Sequence, residues 1–289
     1  MIDSTQIPKP IVDLVKETTS RPIASFSEFI ALKLFGKTNA KLRAEAENEY
    51  EKIKQEGEIA RQAREPFIIQ LEITKAHRQY TNLGNTLVKA APLITAIEVK
   101  IEDDNDVFWG LLEHAKDISN ERMQELIAKI IAGEYNAPCT YAISTLQILK
   151  MLGKSELELF EKIASLMVDN DRIPHKLFAL GKNEEVVMNN LGLDFESLQT
   201  LQSLGLILPN DMIQSIHNPD RENLYVQYFD KKLIFEPENE NYKEIYLPGS
   251  YGPSNVGRQI LQHLNPKYNE AYYQWLKDHY KVSNYKLKI

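Results

Sequence analysis

Met123, Leu126, Ile127, Ile130 and Ile131 recur at helical spacing, while the positions between them are polar or small. A helix so one-sided must lie against other apolar surfaces, and this constrains the fold more than any other stretch. The pattern predicts a helix from Asn120 to Ala132, with Ser119 as N-cap and Gly133 as its stop. Its partners lie close in sequence. Phe108, Trp109, Leu111, Leu112 and Ala115 form one face of a preceding helix capped by Asp106. Thr145–Leu152 and Ser155–Met167 follow, the second with Ser155 and Glu158 as a capping box.

Around this block the texture differs. Residues 8–36 mix apolar groups with Pro8, Pro10, Pro22 and Gly36, which predicts short helices at Ile11–Glu17 and Phe26–Leu34. From Lys37 a highly charged run carries only a narrow seam of Leu42, Ala46, Tyr50, Ile53, Gly57 and Ala60. Pro66 interrupts it before a wider helical pattern resumes up to Pro92. Such a seam either lies on the protein's own body or pairs with a second copy. Beyond Asp169 a helix capped by Asp194 and ended by Gly205 leads into the strand-like Leu206-Ile207-Leu208. The stretches 223–230 and 231–238 then read as a β-hairpin turning near Asp230–Lys231, followed by EIYLPGSYG. A helix at Ser254–Leu264 and an aromatic helix YNEAYYQWLKDHY close the chain. That order is the order of a winged-helix module. The expected class is mainly α (α+β overall), in three segments: 1–100, 101–168 and 169–289.

The string DISNERMQELIAKIIAGE, followed by Pro138, Thr145, Leu146 and Phe160, resembles a bacterial domain family of unknown function, DUF2806-like. The matching positions are Ile118, Ser119, Met123, Gln124, Ala128, Ala132, Gly133, Glu134, Pro138, Thr145, Leu146 and Phe160, with Trp109 upstream. The chain departs from the pattern at Ile127, where the family has Trp, at Cys139, where Gly follows Pro, and at Ala142 and Ser144, where it has Ser and Arg. The resemblance covers about residues 40–210 and implies a fold and a context without a mechanism. A weaker similarity to Abi-alpha phage abortive-infection proteins implies a role in antiphage defence.

The side chains that carry chemistry form no catalytic set. His77, His114, His175, His217, His263 and His279 are scattered without metal-site spacing, so no metal is expected. The acidic run 102–106 reads as a solvated loop, and Cys139, with no basic neighbour, as a small buried or boundary residue. Glu134 is the polar residue of most interest. Placed after Ala132-Gly133, it is expected in a turn, accepting backbone N–H bonds from the next segment, with Gln124 completing the same network. Gly133, Gly153 and Gly181 are isolated and GSYG at 249–252 opens no phosphate loop, so no cofactor is expected.

Charge bears on nucleic acid. The formal charge is −7, and it is concentrated in residues 101–170. The expected recognition helix at 194–204 holds Asp194 and Glu196 and no basic residue. The hairpin region sets Arg221, Lys231, Lys232 and Lys243 against Glu222, Asp230, Glu236, Glu238, Glu240 and Glu244. Phosphate contacts supply most DNA affinity, so DNA binding is disfavoured. Only the tail, with Lys277, Lys281, Lys286 and Lys288, is basic. One cysteine excludes an intrachain disulfide, and neither a signal peptide nor a membrane span is expected, which points to the cytoplasm.

Together these features lead to the expectation of a noncatalytic sensor, regulatory or scaffold protein with a protein partner or a second copy as its target. The alternatives are a winged-helix regulator of transcription and an enzyme centred on Glu134. If the 42–60 seam pairs two copies, size-exclusion chromatography with light scattering will show an oligomer for the full chain and a monomer for a chain beginning at Glu65. A monomer in both cases removes the pairing.

Overall fold

The computed structural model describes residues 21–35, 67–97, 101–169, 171–178, 182–210, 215–217, 222–238, 244–247 and 249–288. The expected helix Ile11–Glu17 and the seam residues Leu42, Ala46, Tyr50, Ile53 and Ala60 lie outside these residues. The architecture is mainly helical with small antiparallel sheets, the expected α+β class. Where the texture of the sequence suggests three segments, the chain divides into two compact units, Met1–Lys150 and Met151–Ile289.

The N-terminal unit contains α1 (Arg21–Phe35), α2 (Phe67–Ala90), a 3₁₀ turn (Ala91–Leu93), α3 (Asp106–Ala115), α4 (Glu121–Asn136) and α5, which runs from Ile143 to Met151. Helix α4 is the axis. Its stripe Met123, Leu126, Ile127, Ile130 and Ile131 is buried, and α2 and α3 pack on it through a core that includes Leu83, Leu87, Phe108, Leu111 and Leu112. Each such side chain contributes about 1.5–3 kcal/mol when removed from water. Phe26 of α1 meets Tyr135 edge to face, with centroids 4.8 Å apart. Polar ties fix the ends. Asn82 donates to the Lys116 carbonyl at 2.9 Å, and the Asn136 side chain takes the N–H groups of Thr95 and Ala96 while donating to the Leu93 carbonyl.

The helix ends differ from expectation. Asn120 caps α4, its side chain accepting from Met123 N, while Ser119 is exposed. Asn105 rather than Asp106 caps α3 by accepting from Phe108 N. Gly133 does not stop α4, which continues one more turn to Asn136. The Gly133 position faces Tyr141, whose hydroxyl would lie 2.6 Å from an added Cβ.

In the C-terminal unit the order is α6 (Lys154–Ala164), β1 (Ile173–Pro174), a 3₁₀ turn (His175–Phe178), α7 (Lys182–Leu191), α8 (Phe195–Ser203) and β2 (Ile207–Asn210). Next come β3 (Ser215–His217), β4 (Leu224–Tyr228), β5 (Lys231–Pro237), β6 (Glu244–Tyr246), β7 (Ser250–Pro253), α9 (Asn255–Leu261), α10 (Glu270–His279) and β8 (Tyr285–Leu287). Helix α6 starts from Gly153, whose N–H the Glu156 carboxylate accepts, in place of the expected Ser155 and Glu158 box. Asp194 caps α8 as expected. Strands β1, β7 and β2 form one antiparallel sheet with β7 central, β4, β5 and β8 form another, and β3 pairs with β6. The hairpin turns at Phe229–Asp230, with Tyr228 opposite Lys231.

Helix α9 crosses the first sheet closely: a Cβ on Gly257 would sit 2.2 Å from the Leu206 carbonyl oxygen, so only glycine fits. Tyr228 ties the second sheet to the helices. Its buried hydroxyl donates to the Ser165 carbonyl at 2.8 Å and accepts the Asn269 N–H at 3.0 Å, and its ring packs edge to face on Tyr272. Burial pushes this phenol up to about 12. The unfolded phenol loses its proton first as pH rises past its ordinary value near 10, so stability present below that pH is lost between about 10 and 12. Tyr228→Phe is expected to lower the stability of this unit by about 1–3 kcal/mol in urea unfolding at neutral pH. It is also expected to flatten part of the alkaline loss. An unchanged unfolding midpoint would show that these two hydrogen bonds contribute nothing.

Candidate functional site

Because α4 runs on to Asn136, Glu134 sits in its last turn rather than in a loop, and the side chain is fully buried. A carboxylate out of water is costly unless its oxygens are satisfied. Three donors meet it. Oε1 accepts the Cys139 N–H at 2.6 Å and the Asn105 side-chain amide at 2.9 Å, and Oε2 accepts the Tyr141 N–H at 3.1 Å. Asn105 thus works in two directions, its oxygen capping α3 and its nitrogen reaching Glu134. The backbone N–H groups arrive because the loop after α4 turns back at Cys139, whose φ is +65°. That left-handed conformation costs an L-residue about 1–2 kcal/mol and glycine almost nothing, which accounts for the glycine at this position in the pattern the chain resembles.

The other sequence-selected residues take separate places. Gln124 is buried, but its amide donates to the Ile118 carbonyl at 2.9 Å. It lies ten residues before Glu134 on one helix, about 15 Å along the axis, so the expected shared network does not form. Trp109 is half-buried and donates through Nε1 to the Glu102 carbonyl at 3.2 Å. Lys33 lies over its indole ring and pairs with Asp103 at 2.6 Å, so both contacts pin the acidic run 102–106. Thr145 is buried at the start of α5, its N–H on the Ala142 carbonyl. Ser119 is exposed, and so is Cys139, against the expected buried or boundary position. Burial, reinforced by Lys150, holds His114 below its usual range, and neutral Nε2–H donates to the Leu149 carbonyl. Among the described residues no group of three or more His, Cys, Asp or Glu is arranged to hold a metal ion.

A second candidate is α8 of the C-terminal unit. Leu198 and Leu201 are buried, whereas Phe195, Glu196, Gln199, Thr200 and Ser203 are exposed and none is basic. Hydrogen bonds from the Ser197 hydroxyl and backbone N–H hold the Asp194 carboxyl below the usual carboxylate range. In the second sheet Lys231 pairs with Asp230 at 3.5 Å and Lys286 with Glu236 at 3.3 Å. Arg221, Lys243 and Glu240 lie outside the described residues.

The family model described as Protein of unknown function (DUF2806) matches residues 69–277, and the chain belongs to that family. The match runs from α2 into α10 and includes both Glu134 and α8. Searches of curated proteins and of solved structures find no match.

The Glu134 arrangement makes two predictions. Glu134→Gln presents an amide nitrogen to at least one N–H donor and is expected to destabilise the N-terminal unit by about 2–4 kcal/mol. Cys139→Gly is expected to stabilise it by about 1 kcal/mol. Thermal and urea melts read both, and a Glu134→Gln protein as stable as the parent would contradict the role given to the buried carboxylate.

Proposed function

We propose that this DUF2806 protein is a noncatalytic regulatory or scaffold component that acts through protein contacts of its C-terminal unit. The observation that carries the reading is the exposed surface of α8, which bears carboxylate and amide groups without a basic residue. The order α6, β1, α7, α8, β2, hairpins, β7, with β7 central in its sheet, supports a winged-helix-like module. Helix α8 stands in the place of a recognition helix, and the residues between β2 and β7 stand in the place of an enlarged wing. Two of the cations on that second sheet, Lys231 and Lys286, already face carboxylates, which weakens any pull on phosphate.

The three hydrogen bonds that Glu134 accepts within the fold, with its burial, support a structural role for it and weigh against the reading of an enzyme centred on it. The setting we propose is the bacterial cytoplasm, in antiphage defence of the abortive-infection kind, on the weaker sequence likeness alone. Self-association through the 42–60 seam fits a scaffold of this type.

The competing reading is a winged-helix DNA binder. Fluorescence anisotropy of a labelled duplex of about 30 base pairs at about 50 mM salt separates the two. Our reading expects no saturation up to about 10 μM protein, where even non-specific DNA binders begin to bind. Saturable binding that weakens steeply with salt and is lost when α8 is substituted at Gln199 and Gln202 would overturn it.

A further inference from the structure

We infer that a cleft between α7 and α8 is the docking site for a basic, apolar-anchored segment of a partner protein. This deepens the protein-binding reading of the C-terminal unit and rests on it. The cleft encloses about 260 Å3. That is below the roughly 300–1,000 Å3 of sites for drug-sized molecules and suits one or two inserted side chains. Its floor is apolar, made by Leu177, Phe178, Met188 and Leu193, which are buried against the unit's own core. Phe195 stands at its edge with 44% of its surface exposed.

The exposed charged residues that line the cleft are acidic. Glu185 and Asp194 line the mouth and are both exposed, and Glu196 follows one residue beyond Phe195. Asp194 keeps its negative charge to lower pH than an ordinary carboxylate, because Ser197 bonds it through hydroxyl and backbone. Glu184 also lines the cleft, but it is buried and accepts the Trp275 indole N–H at 3.1 Å, which anchors α10 to α7. From Lys176 to Ser203 two lysines, Lys176 and Lys182, stand against four carboxylates.

An apolar floor with an acidic rim selects an occupant. Leucine or phenylalanine anchors fill the floor, and lysine or arginine beside them meet Glu185 and Asp194. The exposed ring of Phe195 supplies the main apolar contact, while the rim sets the choice of partner, since an acidic segment placed there meets like charge.

The test uses the full chain and a fluorescein-labelled peptide of about 15 residues. The peptide has leucine and phenylalanine anchors one helical turn apart and lysine or arginine elsewhere on that face. A second peptide has glutamate in place of every base. Anisotropy is expected to show saturable binding of the basic peptide and at least about tenfold weaker binding of the acidic one, a difference that shrinks at high salt. The double variant Glu185→Gln/Asp194→Asn is expected to weaken the basic peptide about tenfold, and Phe195→Ser to weaken it by a similar factor. Asparagine keeps the α8 cap, and Phe195 is exposed, so both variants retain the fold, which circular dichroism melts verify.

Equal binding of the two peptides, binding indifferent to the variants, or no binding by either peptide overturns the inference. If neither peptide binds and duplex DNA does not bind either, the cleft assignment falls and the protein-binding reading stands. If duplex DNA binds through α8, both fall. A dimer of the full chain that the double variant dissociates would put a second copy in the cleft and overturn the assignment to a partner.

Discussion

A single buried carboxylate organises the N-terminal unit. Glu134 sits without solvent contact, and its desolvation is tolerable only because three N–H donors converge on it. Two of those donors are backbone groups of the loop after α4, so the loop has one conformation in which the acid is satisfied. The third is the side chain that caps α3. The end of one helix, the course of the following loop and the start of another helix are therefore fixed by the same oxygen atoms. Such a knot also gives the awkward backbone at Cys139 a role: its positive φ directs the following chain, and with it the Tyr141 N–H, back to Oε2 while the Cys139 N–H holds Oε1. Removing one partner would leave a buried donor or charge unpaired, a far larger cost than the net gain from an average hydrogen bond.

Much of the helical architecture was legible in the sequence because apolar periodicity is a local property of the chain. The stripe of α4 and the face of α3 are buried where the spacing puts them, although Trp109 is only partly covered. What periodicity cannot resolve is which of two adjacent polar residues meets the first free N–H groups. Asn120 and Asn105 take that role from Ser119 and Asp106, each a shift of one residue. Gly133 misled for a different reason. Its need for a missing side chain comes from Tyr141, eight residues on, and no local rule distinguishes that from a helix stop. A helix that ended at Gly133 would let Gln124 and Glu134 share one network, whereas the continuous helix holds them far apart. Helix α7 has as its sequence signal an acidic first turn at Glu184 and Glu185, which is weak by itself. Strand β1 has two residues, too few for any alternation to show.

The C-terminal unit is held by long-range polar ties that the sequence does not announce. Tyr228 joins the second sheet to the end of α6 and the start of α10, and Trp275 of α10 reaches Glu184 of α7. Asp169 adds a further link. Its backbone N–H and carboxylate bond Gln227 of β4, and the same carboxylate pairs with Arg172. Apart from the Asp169–Arg172 pair, each tie spans dozens of residues, so these strands and helices are specified by one another more than by their own composition. These ties hold α7 to α10, while Glu185 and Glu196 remain exposed.

The contrast between the two kinds of carboxylate bears on function. Glu134 is an acid turned inward, its oxygens bonded within the fold and out of reach of solvent. Glu185 and Glu196 are exposed and Asp194 spends only local hydrogen bonds on its cap, so their charge remains available to solvent and to any approaching molecule. Exposed charges interact weakly pair by pair and are screened by salt, which makes them poor sources of affinity and good sources of discrimination. On the proposal made above, exposed Phe195 would hold a partner by apolar contact and these carboxylates would decide which partner is held. The same acidity that would repel a phosphate backbone would then favour a basic segment of protein.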